Sequence, residues 1–258
     1  MCGRYALSKL PAELVEEFEI HTSQSLKELL ALPALPADWN ITPTRNIYII
    51  RGGAQSQPST SPTPSGFQRE LAIASWGIIA PWSRNREDAL RSQSQAINAR
   101  SESVDQKPTF RSAFRTRRCL IPADGYYEWA TENGDFPFKQ PFYITRSDHR
   151  TLAFAGIWES WVDPQGEIRE SAAIITRPAV ERLATIHSRM PTFLPADRWD
   201  RWLDPTLRDV EEIRSLMELD APAAGLQAIP VSTAVNSIRN NGAQLIKEID
   251  LGDHLTLF

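Results

Sequence analysis

LAFAGIWESWVDPQGEIRESAAIIT, residues 152–176, holds two apolar stretches of strand length separated by Asp163-Pro164-Gln165-Gly166. That tetrapeptide is a turn signal: Pro presets φ at the second turn position, and Gly accepts a backbone conformation other residues resist. Strands are therefore expected over residues 152–161 and 168–176, joined as a hairpin. Further short apolar runs lie upstream, at residues 118–121, 125–129 and 141–145, and two more at 46–50 and 70–76 flank a stretch rich in Ser, Pro and Gly, GGAQSQPSTSPTPSG, residues 52–66. This low-complexity stretch reads as a flexible surface insertion in a hairpin. Another strand is expected at 226–231. Helices are expected at 11–18 (Ser8 as the cap), 109–118, 178–185, 195–203 and 206–219, because each carries apolar residues at helical spacing or a start signal. In 109–118, Phe110 and Phe114 would face inward, with Arg111, Arg115 and Arg118 sharing an outward stripe. Clustered strands with peripheral helices make an α+β class, one domain over residues 1–258 with a curved antiparallel, barrel-like β core. Neither βαβ alternation nor a Gly-rich phosphate loop is visible, which excludes the doubly wound nucleotide-binding folds.

Composition narrows the classes. Of 258 residues, 41% are hydrophobic and 23% charged, ordinary values for a globular domain with a sizeable core. No window approaches the roughly 18 apolar residues of a membrane span, and MCGRYALSKL lacks the basic lead and apolar stretch of a signal peptide or lipobox. Two cysteines make no disulfide framework, and there is no Cys/His spacing for zinc, so a cytoplasmic protein with neither metal nor cofactor is expected. Net charge is −4, but residues 84–118 hold nine basic and four acidic side chains, +5, which leaves −9 for the rest. A basic segment on an acidic body suits a phosphate-binding face; arginines paired to distant acids would give the same count.

Cys2 is the most informative residue. Removal of Met1 leaves a free α-amine beside a thiol, with reference pKa values of about 8 and 8.5, so both have a nucleophilic fraction near neutrality. Such a 1,2-aminothiol condenses with an aldehyde and closes a five-membered thiazolidine. Cys119, in the apolar run CLIP, reads as a buried structural thiol.

MCGRY at the start, WNITP (39–43), SWGIIAPW (75–82), INARSES (97–103), PTFRSAFRTRRCLIPADGYYEW (108–129), AGIWESW (155–161), IHSRMP (186–191) and VSTAVNS (231–237) occur in an order that resembles the SRAP family, along nearly the whole chain. These are proteins that crosslink to abasic sites in DNA, and their bacterial members include the SOS response-associated peptidase. The resemblance implies an SRAP fold and roles for individual residues. Cys2 is the nucleophile. Glu128 is the acid/base, His187 protonates the sugar ring oxygen and assists reversal, and Asn98 hydrogen-bonds the sugar. It also suggests DNA contacts: Arg4, Arg100 and Arg189 on phosphates, Arg111 with Arg115 and Arg118 extending that track unless one serves a structural pair, Trp76 and Trp129 stacking on bases, and Pro43 in a loop near DNA. Trp39, Trp158, Trp161, Trp199 and Trp202 are assigned to the core, and His21, His149 and His254 to the surface.

These roles imply a mechanism. An abasic deoxyribose exists partly as an aldehyde; the Cys2 amine forms a Schiff base, and the thiol traps it before β-elimination can break the strand. The implied partner is single-stranded DNA carrying an abasic site, met during replication and at single-strand/double-strand junctions, by a monomeric bacterial protein that joins the nucleoid when bound. Two other readings stand beside it: a cysteine peptidase that removes its own Met1 using Cys2, Asn98, Glu128 and His187, and a DNA-binding module without catalysis.

Overall fold

The computed structural model describes residues 2–20, 34–53, 68–130 and 139–251. In chain order the strands and helices begin with β1 (Tyr5–Leu7), α1 (Pro11–Glu17), β2 (Asp38–Ile41), β3 (Asn46–Gly53), β4 (Gln68–Trp76), α2 (Arg86–Gln95), β5 (Asn98–Arg100) and α3 (Pro108–Thr116). Then come β6 (Arg118–Ala123), β7 (Gly125–Trp129), β8 (Pro141–Arg146), β9 (Leu152–Val162), β10 (Ile168–Pro178), α4 (Leu183–Ile186) and β11 (Arg189–Pro191). The chain continues through α5 (Trp199–Leu203), α6 (Val210–Ser215) and β12 (Leu226–Pro230) to two 3-10 turns, Thr233–Asn236 and Ala243–Ile246. No helix among the described residues is long and apolar enough to cross a membrane.

Five strands close on themselves. β3 pairs β4 and β6, β6 pairs β9, β9 pairs β10, and β10 pairs β4, which completes the ring. The barrel expected from the sequence is present, antiparallel throughout except at the parallel β4–β10 seam. Closure leaves no unpaired edge within the ring. The 152–176 hairpin supplies its two longest strands, with Val162 opposite Ile168. The insertion lies in the β3–β4 hairpin, where Gly53 faces Gln68; residues 54–67 fall outside the described ones, as do His21 and His254.

A second, five-stranded antiparallel sheet runs β12-β8-β7-β1-β2. The chain passes from barrel to sheet at Asp124. Gly125 is needed there, because a Cβ at this position would come within 2.4 Å of the Tyr143 ring. β1 lies on β7, Tyr5 opposite Tyr126, and this pairing delivers the N-terminal segment to the barrel mouth.

Several local expectations change. Ser8 does not cap α1. Its backbone N–H and hydroxyl both donate to Asp124 at 2.7 Å, while Glu13 accepts from the Leu10 N–H. The helix at 178–185 shrinks to α4 because β10 runs on through Pro178. That at 206–219 shrinks to α6, capped by Asp209. α3 stops at Thr116, so Arg118 is no part of its outer stripe. It opens β6, buried, its guanidinium donating to the carbonyls of Trp202, Phe114, Asp204 and Leu207 at 2.6–3.0 Å.

Candidate active site

Antiparallel pairing carries the chain's first residues past the end of β7. The Tyr127 N–H donates to the Arg4 carbonyl at 2.9 Å, one step beyond the Tyr5–Tyr126 register. Alternation along β7 then puts Tyr126 and Glu128 on one face and Tyr127 and Trp129 on the other. Tyr126 packs in the main core with Cys2; Tyr127 and Trp129 pack with Val231 and Val235.

β5 comes from a different direction. It adds to β10 in parallel, with Asn98 opposite Ile174, and the Asn98 carboxamide donates to the Cys2 carbonyl at 2.7 Å. His187 ends α4 and precedes β11, which pairs with the far end of β10. Its Nδ1 accepts from the Arg189 N–H at 3.0 Å and lies 4.0 Å from a Glu128 carboxylate oxygen. Cys2, Asn98, Glu128 and His187, separated by up to 185 positions in sequence, thus converge where β1, β5, β7 and β11 meet.

Burial sets the chemistry. Glu128 is only 4% exposed, and loss of water pushes its carboxyl up to about 7. Burial, with the positive charges nearby, holds His187 below its ordinary value, so the imidazole is neutral at neutral pH. Cys2 is fully buried, and desolvation reinforced by the Glu128 charge raises its thiol well above the usual cysteine range. The thiolate fraction expected from reference values is therefore not present in the unprocessed chain. The thiol's hydrogen-bond contact is the Arg4 carbonyl, at 4.0 Å. Cys119 is buried, as expected, and its thiol is likewise raised.

The residues expected to touch DNA divide sharply. Trp76 is a correction: it is fully buried, edge-on to Tyr5 at 5.2 Å, and its indole N–H donates to the Ile97 carbonyl. No base can stack on it. Its place in the sequence block is taken by Trp82, 58% exposed, to which motif order assigns no role. The signal was legible: Trp82 is followed by Ser83-Arg84-Asn85-Arg86, with no apolar neighbour to pack on until Ala89.

Arg189 and Arg4, both expected on phosphates, already make hydrogen bonds inside the protein. Arg189 donates to both Glu102 carboxylate oxygens and to the Thr176 carbonyl, and these bonds pull Glu102 down to about 2. Arg4 donates to Asn40 and to the Val235 carbonyl at 2.7 and 2.8 Å, beneath the half-buried Trp129 ring. Arg100, Arg111 and Arg115 are exposed and form no ion pair among the described residues. Asn98 and Arg100 share one face of β5, two residues and about 6.6 Å apart. Pro43 is half-buried at the β2–β3 turn, where the next residue's N–H donates to the Trp76 carbonyl. His149 is exposed; of the tryptophans assigned to the core, Trp161, Trp199 and Trp202 are buried, and Trp39 and Trp158 half-buried.

Fold and site together define a class: a closed-barrel domain whose own second residue brings a thiol against a carboxylate, an imidazole and a carboxamide. The chain belongs to the SOS response associated peptidase (SRAP) family, whose model matches residues 1–238. Abasic site processing protein YoqW of Bacillus subtilis (strain 168) is 33% identical over 247 residues, 96% of this chain and 99% of that one. Abasic site processing protein HMCES of Gallus gallus is 33% identical over 98% of this chain and 79% of its own length. A crystal structure of a protein from Bacteroides thetaiotaomicron shares the fold, with a TM-score of 0.77 at 24% identity, covering 96% of this chain and all of that one.

Proposed function

We propose that this chain processes abasic sites in single-stranded DNA by capturing them covalently on Cys2 once Met1 has been removed. The observation that carries this reading is the convergence on Cys2 of Glu128, titrating near neutrality, with Asn98 and His187. The relatives named as abasic site processing proteins support it over nearly the full chain.

The steps balance without a further reactant. The Cys2 amine adds to the aldehyde of the ring-opened sugar, and the nitrogen's proton passes to the Glu128 carboxylate. Glu128 hands that proton to the alkoxide oxygen, giving the neutral carbinolamine. A second proton taken from the medium, given back when the thiol later releases its own, lets this oxygen leave as water to give an iminium. The Cys2 sulfur adds to the iminium carbon while its proton is released, forming the C–S bond of a thiazolidine. The net change is loss of one water, and the product lacks the iminium that would promote strand cleavage. A carboxyl near pKa 7 suits both proton acceptance and return. His187, neutral, is a weaker proton donor than the family resemblance implies; the main proton traffic falls to Glu128. Asn98 fixes the Cys2 carbonyl, and Arg100 on the same strand face holds a flanking phosphate. Trp82 offers a stacking surface.

The hydrolytic alternative fits less well. A peptidase would use the thiol alone, whereas aldehyde capture uses the amine and the thiol of one residue together, which is what a terminal Cys offers.

Mature protein incubated with single-stranded DNA containing one abasic site should give a shifted band on a denaturing gel, and Cys2→Ala should abolish it. The reading fails if Cys2→Ala gives the same stable band, or if the adduct forms on protein that mass spectrometry shows still carries Met1. Glu128→Gln should slow capture by about 10²- to 10⁴-fold and flatten a pH profile that otherwise peaks near 7. Stability should move the other way. A folded-state pKa raised above the unfolded one stabilises below about pH 4.5, and that contribution is lost as pH rises through about 7. Glu128→Gln should hence melt higher than wild type at pH 8, with the gap closing towards pH 5; an unchanged or lower Tm at pH 8 would show the carboxylate to be well solvated.

A further inference from the structure

We propose that Arg4 and Asn40 are positioning residues that clasp the N-terminal segment so that Cys2 meets its target in one orientation, an inference that rests on aldehyde capture by Cys2. Asn40 is 4% exposed, and both ends of its carboxamide are engaged. Its oxygen accepts from Arg4 at 2.7 Å; its nitrogen donates to the carbonyls of Ser237 at 3.0 Å and Asn240 at 2.8 Å. Arg4 also donates to the Val235 carbonyl, 231 positions away. The outer wall is Trp129, its ring 5.7 Å from the Arg4 guanidinium carbon, its N–H donating to Asn236 at 2.6 Å. Four distant segments, at residues 4, 40, 129 and 235–240, are tied around one guanidinium.

Gly3 gives the clasp its purpose. Only Gly3 separates the clasped residue from Cys2, and glycine has the broadest backbone freedom of any residue. Peptide planes are rigid, so the direction of the Cys2 amine and thiol depends on a handful of soft dihedrals between Arg4 and the Asn98 bond to the Cys2 carbonyl. With Arg4 loosened, the terminus pivots about Gly3. Thiazolidine closure requires nitrogen and sulfur of one residue to reach one carbon, a step governed by orientation. Both acceptors hold the guanidinium at one nitrogen, Nη1, which fixes its place in the clasp.

The test separates orientation from affinity. Arg4→Lys keeps the charge but ends one bond short of Nη1, the nitrogen that donates to both acceptors; Asn40→Ser shortens the opposite arm. Each is measured for single-turnover crosslinking to an abasic oligonucleotide, and for equilibrium binding to the same oligonucleotide with a tetrahydrofuran analogue that has no aldehyde. Crosslinking should fall by about 10- to 100-fold, while Kd for the analogue stays within about twofold and its salt dependence is unchanged. The double variant should be no slower than the worse single one, because both remove the same hydrogen bond. Asn236→Ala loosens the clasp from its exposed outer side without emptying the core, so it should show the same split at smaller amplitude even if the buried variants melt early. Rates equal to wild type in all three variants would overturn the proposal. So would a joint fall of rate and affinity with a shallower salt slope, which would make Arg4 a phosphate ligand. Wild type that forms no Cys2-dependent adduct would sink the capture reading itself, and this inference with it.

Discussion

Around Cys2 the arginines are occupied; from Trp82 to Arg115 most are not. Arg4 and Arg189 donate to side chains and carbonyls that hold β1, β2, β10 and β11 together. Along the outer segment, Arg91 pairs with Glu87 on its own helix, whereas Arg84, Arg86, Arg100, Arg111 and Arg115 are exposed with no ion pair among the described residues. Tryptophan divides the same way, Trp76 in the core and Trp82 outside, six residues apart. A residue's place beside a reactive motif therefore does not assign it to DNA. An arginine anchored by internal hydrogen bonds must break them to swing toward a phosphate, and a solvated one loses only water.

The tryptophans offer the largest separation. Trp76→Ala empties a site lined by Tyr5 and removes the bond to the Ile97 carbonyl, just before Asn98. It should cost about 3–5 kcal/mol of stability. Trp82→Ala should leave the Tm within the range of a surface change but weaken single-stranded DNA binding by about 1–3 kcal/mol, the worth of one stacked base. Denaturant melts and fluorescence-anisotropy titrations of both variants decide it. A Trp82 variant that binds normally would remove the stacking surface from the proposal.

The barrel was readable because its strands are long and its turns carry chemical signals. β9 and β10 show an apolar run of strand length on either side of Asp163-Pro-Gln-Gly166, and β3 and β4 are apolar on both sides of the low-complexity insertion. β1, β2, β5 and β11 were not legible, since three or four residues are too few to display alternation. α2 escapes detection for another reason: REDALRSQSQ has no apolar stripe and buries only Ala89 and Gln93, so its helix shows in capping by Asn85 and not in hydrophobic spacing. Motif order drew attention to Cys2, Asn98, Glu128 and His187, and the fold does bring them together. What motif order lacks is depth. Whether Trp76, Arg118 or the Cys2 thiol meets water depends on what packs over them from elsewhere in the chain, and the large shifts at Cys2 and Glu128 come from that burial.

Arg189 and Arg100 give the smaller and more discriminating contrast. They sit on strands that both pair with β10, and Arg100 lies opposite Thr176, whose carbonyl Arg189 binds. Arg189→Ala leaves that carbonyl without its charged donor, at a cost of about 1–3 kcal/mol. Glu102 also loses the partner that depresses it, and a depressed carboxyl adds stability above its unfolded value that is lost as pH falls through about 2. The gap between wild type and Arg189→Ala should accordingly narrow in acid. Arg100→Ala should not shift the melt. Instead the slope of log Kd against log salt for single-stranded DNA should become shallower by about 0.7, as expected when one fewer phosphate is neutralised. The two arginines would prove interchangeable, and the division between occupied and solvated cations would collapse, if Arg189→Ala changed the salt slope without changing the melt. An Arg100→Ala slope identical to wild type would leave the basic segment as a solvated face.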